Sequence, residues 1–338
     1  MKFNPFLYSK IICSGALLAV VWTLIACQPP TVPAESVLSN NNITDTITKD
    51  TTQKVVPTSL KKTVANNMSV PRLVATSNPL PTFPWLATYD PATSILQQIP
   101  VPAGYQRLEL ADNSFGYWLR QLPLHPKGTA VLLYNGMTKP YQAGAHRVLN
   151  MDIGKRDLQQ CADAVMRLRA EYLYQQKNYA AIHFNYTSGH TIRFSDWSKG
   201  KRPRVSGSNV TFSAPKGTID TSYPQFKRYL TNVYSYAGTA SLSKELQKKA
   251  IASIEPGDVF IQGGFPGHAI LVMDVAQHPT TGERLFLLAQ SYMPAQSIHL
   301  LNNPNNGTLS PWYSSNLTSL LETPEWTFNK QDLCSFED

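Results

Sequence analysis

Two residue types in this chain could together perform covalent catalysis: a cysteine nucleophile and a histidine base. Cys161 lies on the most strongly patterned helical segment, and His268 follows a glycine-rich turn at the start of an apolar run. A thiol attacks a carbonyl carbon once an imidazole takes its proton, and a third polar group commonly orients that imidazole. The pair therefore predicts nucleophilic cleavage of an acyl bond. Cys161 also fits an inert core position, because free cysteines are among the most buried residues.

The residues before Cys161 predict a strand followed by a helix. His146 to Ile153 alternates like a strand, and the apolar residues from Arg156 to Gln176 recur at three and four positions, which defines one buried helix face. Asp157 suits the N-cap or the first turn, so Cys161 is expected about one turn inside the helix. The aligned amides and nearby cations there would lower the pKa of the thiol.

The residues around His268 predict an antiparallel hairpin. Its expected parts are a short strand, a glycine-rich loop, a buried strand, a turn and a returning strand: Val259 to Ile261, Gly263 to Gly267, His268 to Val275, Gln277 to Gly282 and Arg284 to Gln290. Counting back from the turn places Gln290 to Met293 opposite His268. We therefore expect Gln290 or Ser291 to hold the imidazole.

This arrangement resembles the papain-like cysteine amidases of the bacterial envelope, the NlpC and CHAP type, in which a cysteine opens a helix and a Gly-Asp-x-Val-Phe strand precedes a Gly-His strand. The resemblance covers about residues 145–300 and implies an α+β fold of papain-like type, with a helix packed on an antiparallel sheet. It assigns Cys161 as the nucleophile, His268 as the base and Gln290 as the orienting residue, with no cofactor. Gln160 and Ala162 replace the usual neighbours of the cysteine.

Three stretches are similar to a bacterial lipoprotein family of unknown function, domain-of-unknown-function family 4846. They are Val148 to Tyr174, His183 to His190 and Leu288 to Gln296. The similarity would span most of residues 81–338. It brings no assigned reaction, so the expected chemistry depends on the residues above.

The first residues predict export and a lipid anchor. Lys2 and Lys10 flank the start of an apolar stretch that runs from Ile11 to Ala26, which is typical of a secretory signal. The tetrapeptide that ends at Cys27 resembles the bacterial lipobox. We therefore expect a signal peptide at 1–26 and a diacylglyceryl group on Cys27, although an ordinary signal or an uncleaved anchor is the alternative. Gln28 favours the outer membrane, facing the periplasm.

The remaining composition predicts a tether and one domain. Residues 27–80 are rich in Pro, Thr, Ser and Asn, which is typical of a disordered segment, and residues 81–338 are long enough for a single globular domain. The chain carries a net charge of +8. Its basic block Lys199 to Arg204 would suit an anionic envelope polymer, although clustered like charge is usually a solvated loop. The expected partners are peptidoglycan or another envelope polymer, and the membrane through the lipid; export argues against nucleic acid.

Three other interpretations stay open. Cys161 and Cys334 could form a disulfide, because exported cysteines commonly pair. A metal site would use imidazole and carboxylate ligands, which here are His183, His190, His268 and Asp152. The chain could also be a non-catalytic envelope-binding or assembly lipoprotein that keeps a degenerate papain-like fold. The first choice remains a thiol-dependent amidase or peptidase that acts on peptidoglycan or another envelope amide.

Overall fold

The computed structural model describes residues 81–337, where helices pack around one large antiparallel sheet. The predicted signal peptide, the lipidated Cys27 and the tether lie outside these residues. The described helices are α1 Ile95–Gln98, α2 Phe115–Arg120, α3 Cys161–Gln175, α4 Phe194–Ser198, α5 Tyr223–Tyr234 and α6 Thr239–Leu242. None of these helices has both the length and the apolar character needed to cross a membrane.

The described strands are short except at the centre of the sheet. They are β1 Gln106–Arg107, β2 Ala145–Val148, β3 His183–Asn185, β4 Thr191–Arg193, β5 Pro203–Ser206, β6 Asn209–Phe212, β7 Gln247–Lys248, β8 Val259–Gln262, β9 His268–Gln277, β10 Arg284–Gln290, β11 His299–Leu301, β12 Tyr313–Ser314, β13 Leu320–Glu322, β14 Thr327–Asn329 and β15 Leu333–Ser335. The main sheet has the order β2-β11-β10-β9-β8-β15-β7, with β1 also paired to β9 and β12 to β10. All of its pairings are antiparallel, which confirms the predicted α+β class with an antiparallel sheet.

The central hairpin forms where it was predicted. β9 and β10 pair from Arg284 opposite Gln277 to Ala289 opposite Leu271, with one irregularity between Leu287 and Leu288. Nearly every residue of both strands is buried, because the sheet is covered on both faces and alternate side chains enter two separate apolar clusters. This two-sided burial explains why the sequence shows continuous apolar runs here instead of an apolar–polar alternation.

The helix that carries Cys161 starts later than the spacing predicts. α3 begins at Cys161, with Gln160 as its N-cap, so the expected position one turn inside the helix is wrong. Asp157 does not cap the helix, because its Oδ1 accepts hydrogen bonds from the Ala295 backbone N–H at 2.7 Å and from the Gln160 side chain at 3.0 Å. The loop that contains Ala295 therefore binds the carboxylate of Asp157, which is no longer available to cap the helix.

α3 is also buried on nearly all sides, whereas its spacing predicts one buried face. Arg167 is fully buried and pairs with Asp152 (Nη2 to Oδ1, 2.6 Å) and with Glu171 (Nε to Oε1, 3.5 Å). It also donates to the side chain of Gln159. These contacts of the buried Arg167 anchor the segment before Cys161 to the body of the helix. The strand predicted at 146–153 is shorter in the structure, where β2 ends at Val148. Asp152, near the end of the predicted strand, instead pairs with Arg167.

The loop between β8 and β9 depends on glycine for close packing. A Cβ atom at Gly263 would collide with the side chain of Ser243, and one at Gly267 would collide with Thr239. The hydroxyl of Thr239 donates to the Gly264 carbonyl at 3.2 Å. The loop therefore sits against α6, which fixes the entry of the chain into β9 at His268.

Candidate active site

The structure brings the predicted nucleophile and base to one place. Cys161 is the first residue of α3, and His268 is the first residue of β9. The backbone N–H of Ala269, the residue after His268, is close enough to the sulfur of Cys161 to lower the pKa of the thiol. The sulfur therefore lies near the backbone of the residue that follows the histidine.

Gln290 holds the imidazole, as predicted. The Nε2 atom of His268 lies 2.9 Å from the Oε1 atom of Gln290. Ser291, the other residue that the register allowed, instead hydrogen-bonds to the carbonyl of Gln159 at 2.9 Å. Ser291 thus joins the loop after β10 to the segment before Cys161. The hydrogen bond to the imidazole of His268 is made by Gln290.

Glu325, which the sequence analysis did not identify, fixes the orientation of the Gln290 amide. The Nε2 amide group of Gln290 donates to Oε2 of Glu325 at 2.6 Å. Because a carboxylate accepts hydrogen bonds, the amide nitrogen of Gln290 faces Glu325 and its oxygen faces His268. The oxygen needs a donor, so the proton of the neutral imidazole resides on Nε2. The Nδ1 atom of His268 is then an unprotonated base, and it is buried with no hydrogen-bond partner.

Lys139 completes this chain of contacts. Its ammonium group forms an ion pair with Glu325 and lies 5.9 Å from the ring centre of Tyr292. Glu325 and Lys139 were missed by the sequence analysis, since each lies in an irregular segment where no periodicity or motif marks it. Their contacts to Gln290 and Tyr292 are long-range and become visible only in the fold.

Aromatic rings enclose the histidine. Its ring centre lies 4.8 Å from Tyr292, 5.4 Å from Trp326 and 5.9 Å from Phe328. Burial disfavours the charged imidazolium and lowers the pKa of His268 to about 4, although the hydrogen bond to Gln290 acts in the opposite direction. The imidazole is therefore neutral at pH 7, with its basic nitrogen free.

The thiol is neutral as well. Burial raises the pKa of Cys161 above its ordinary value, and the backbone amides of Ala162, Cys161 and Ala269 offset only part of that rise. The lowering expected from the helix N-terminus is therefore outweighed by desolvation. The site therefore holds a thiol and an imidazole that are both uncharged at pH 7.

The start of α3 also offers donors for a developing oxyanion. The first amides of a helix have no acceptor within the helix, and the N–H groups of Cys161 and Ala162 act on the thiol by lowering its pKa. Amides in this position can stabilise the negative oxygen that forms during acyl transfer. The site thus contains a thiol, a neutral imidazole, a glutamine amide that contacts the imidazole, and backbone amides near the sulfur.

The two open structural alternatives do not match the fold. Cys161 and Cys334 are both buried free thiols, so the predicted disulfide is wrong. Within residues 81–337 no three histidine, cysteine, aspartate or glutamate side chains gather in an arrangement that could hold a metal ion. His190 contacts Ser188, and Asp152 is engaged by Arg167 and Lys227.

The two cavities described lie elsewhere. The larger, of about 800 Å³, follows the second half of α3 and is lined by residues that include Arg169, Tyr172, His183 and Glu245. The smaller, of about 80 Å³, lies between α5 and the segment before α3. Neither includes Cys161 or His268.

Fold and site together define a mixed α+β protein with an enclosed cysteine–histidine–glutamine arrangement at one end of an antiparallel sheet. The family model described as domain of unknown function (4846) matches residues 95–335, and the chain belongs to that family. The similarity inferred from the three sequence stretches is thereby confirmed. No curated protein and no solved structure matches the chain.

Proposed function

We propose that this protein is a thiol-dependent amidase or peptidase of the bacterial cell envelope. The observation that carries the proposal is the hydrogen-bond pattern of His268: its Nε2 is committed to Gln290, its Nδ1 is free, and the amide of the next residue reaches the sulfur of Cys161. The cysteine that opens α3 and the histidine that opens β9 correspond to the papain-like NlpC and CHAP arrangement. That likeness supports a papain-like fold for the site region.

The residues fit a two-step hydrolysis. Nδ1 of His268 takes the proton of the Cys161 thiol as the sulfur attacks the amide carbonyl carbon, while amides at the start of α3 stabilise the oxyanion. The C–N bond then breaks, and the amine leaves with the proton from the imidazolium, so that an acyl thioester remains on Cys161. Water, deprotonated by the same imidazole, hydrolyses the thioester and restores the thiol. Gln290 keeps the ring in place throughout.

The proposed setting comes from the N-terminal sequence. A signal peptide at 1–26, a lipid on Cys27 and a tether at 27–80 would attach the domain to the outer membrane on its periplasmic side. Some tens of Å of reach follow from flexible-chain scaling over about fifty residues. The substrate is then an amide of peptidoglycan or of another envelope polymer within that reach.

A second candidate is a non-catalytic envelope-binding lipoprotein. The observation in its favour is that the pair is nearly closed to solvent: His268 is fully buried and Cys161 is 8% exposed. Burial also keeps the resting thiol protonated. A protein that retained the fold without the chemistry would preserve such a packed site.

Acylation of Cys161 separates the two candidates. The full-length protein is incubated with the 4-nitrophenyl ester of N-acetylglycine, and the acylated residue is identified by peptide mass spectrometry while nitrophenolate release is recorded. We expect acylation at Cys161, its loss in Cys161→Ala, and a decrease of about a hundredfold in His268→Ala. Cys334→Ser, which changes the other buried thiol, is the matched control and should react normally. Equal rates in the wild type and in Cys161→Ala would leave the binding protein as the better description.

A further inference from the structure

Four large apolar side chains are exposed on segments that lead into His268 or pack beside the chain after Tyr292, which contacts it. Phe265 is 87% exposed, Met137 63%, Met293 51% and Leu132 40%. Single exposed apolar residues are ordinary, but a group of them at one place marks a binding surface. We call these four residues the apolar rim.

Phe265 belongs to the rim through the loop that leads into β9. β8 ends at Gln262, which pairs with His268, so the intervening loop projects beyond the sheet at the end where the histidine lies. The loop is fixed against α6 by the contact between Thr239 and Gly264. Phe265 is therefore an exposed residue of the short loop that ends at His268, the proposed base.

The other three residues belong to two irregular segments, one of which follows β10. Met293 follows Tyr292, whose ring contacts His268 at 4.8 Å. The segment with Leu132 and Met137 pairs with the chain just after Met293, since the Tyr134 N–H donates to the Ala295 carbonyl at 2.8 Å. Two segments distant in sequence thus supply apolar side chains to the surroundings of the same imidazole.

The charges nearest the imidazole do not favour an ionic substrate group. Lys139 and Glu325 neutralise each other, and Glu325 is further engaged by Gln290. The side chains of Lys139 and Glu325 are 7% and 15% exposed, so neither presents a free charge beside the rim. Methionine also adapts its shape readily to apolar groups of different outline.

We propose that the apolar rim selects substrates whose acyl part carries a large apolar amino-acid side chain next to the scissile carbonyl, so that the natural substrate is a peptide or protein amide. This inference rests on the proposed function and makes its substrate class specific. The rim residues are exposed side chains beside an ion pair whose two charges neutralise each other, so they offer contact to an apolar substrate group and not to an ionic one.

Three esters with the same leaving group test this inference on the full-length protein. They are the 4-nitrophenyl esters of N-acetylglycine, N-acetylleucine and octanoic acid, and the acylation rate of Cys161 with each is divided by the rate with glutathione to remove intrinsic reactivity. We expect the leucine ester to exceed the glycine ester by at least about tenfold, since even small apolar groups are distinguished to that extent in apolar sites. The octanoyl ester should gain less than the leucine ester.

Variants of the rim residues test whether the apolar rim causes the preference for the leucine ester. Phe265→Gln and Met293→Gln should each bring the leucine-to-glycine ratio down towards one, and Met137→Gln provides a second exposed position on the other segment. Ile219→Gln changes a residue that is 67% exposed and lies between β6 and α5, away from the rim, and should leave the ratio unchanged.

The outcomes are distinguishable. Equal normalised rates for glycine and leucine esters, with Cys161 acylated by both, would overturn the rim inference and leave the proposed function standing. A larger gain for the octanoyl ester would overturn it in favour of a lipid acyl group. Acylation by none of the three esters would overturn the proposed function together with the inference that depends on it.

Discussion

The Nε2 atom of His268 lies 2.9 Å from the Oε1 atom of Gln290, and the amide nitrogen of that glutamine is held by Glu325 at 2.6 Å. The orientation of the glutamine amide is thereby fixed by a charge and not by the histidine itself. Because only one orientation satisfies Glu325, the imidazole is restricted to the tautomer that leaves Nδ1 basic. The catalytic competence proposed for His268 thus depends on a residue that never touches it.

Removing Glu325 should release the glutamine amide and mix the imidazole tautomers. Glu325→Ala is combined with Lys139→Met, because the single change would leave the buried lysine unpaired. We expect the ¹⁵N chemical shifts of His268 to move towards an average of both tautomers, and acylation of Cys161 to slow about tenfold, the kinetic equivalent of roughly one hydrogen bond. Glu322→Ala, an exposed glutamate three residues earlier, is the control. Unchanged tautomer shifts would contradict the orienting role.

Alkylation of Cys161 should have an unusually alkaline pH dependence. Burial raises the pKa of this thiol above its ordinary value of 9.0, so the reactive thiolate is scarcer in the native protein than in an unfolded chain. With iodoacetamide, and with the label assigned to Cys161 by peptide mapping, the native rate should be slow at pH 8 and still rising above pH 9. The same protein in guanidinium chloride is the reference. A native rate that levels off below pH 8 would show a stabilised thiolate and refute the neutral resting pair.

The buried ion cluster of Asp274 should be a principal determinant of stability. Asp274 is fully buried and accepts from Nε of Arg107 at 2.6 Å and from Nε of Arg120 at 2.5 Å, which ties β1 and α2 to β9. Asp274→Ala leaves two guanidinium groups without their partner, so we expect the free energy of unfolding to fall by about 3–5 kcal/mol. The surface pair Asp196 and Lys201 gives the control, where Asp196→Ala should change it by less than about 1 kcal/mol. Similar losses in both variants would refute the assignment.

Two buried histidines should make the fold sensitive to acid. Burial lowers the pKa of His299 to about 3 and that of His268 to about 4, from an ordinary value of 6.5. The unfolded chain therefore binds more protons than the native state in this window, so stability is full above about pH 6.5 and is lost as the pH falls towards 4 and below. At 1.36 kcal/mol per pH unit, each group contributes roughly 3 kcal/mol or more to that loss.

His299→Gln tests the acid sensitivity at the residue that pairs with Gln290 across the sheet, and leaves His268 itself unchanged. Glutamine does not titrate and keeps a donor for the Ser297 carbonyl, which accepts from the histidine at 2.9 Å. Denaturant unfolding at pH 7.5 and pH 4.5 should show a smaller difference in the variant than in the wild type. His190→Gln, at a surface turn, serves as the comparison and should retain the full difference. A variant that loses as much stability as the wild type would contradict the role of His299.

The central hairpin and its histidine were predictable because the signal is local. Continuous apolar runs bounded by glycine-rich and polar turns mark β9 and β10, and the short turn fixes which residues face each other. That count narrows the partner of His268 to Gln290 or Ser291, and the structure selects Gln290. The family likeness was predictable for the same reason, since it depends on contiguous residues.

The start of α3 and the identity of Glu325 were not predictable, because both depend on distant contacts. The spacing places Asp157 in the helix, but the Ala295 N–H takes its carboxylate, and the helix begins four residues later. Glu325 lies 35 positions after Gln290, in an irregular segment with no periodic pattern. Tertiary hydrogen bonds overrode local propensity in the first case and had no local signature in the second.

The hydrogen bond from Ala295 to Asp157 joins positions 138 residues apart, and it lies directly beside the residue that opens α3. Contacts of such long separation form late in folding, because the chain must close a large loop before it gains them. The helix that carries the thiol and the hairpin that carries the imidazole can each form earlier by local contacts, before the two groups meet. A partly folded copy of the protein therefore has an ordinary cysteine, and burial of Cys161 in a refolding experiment would report the final docking of the helix on the hairpin.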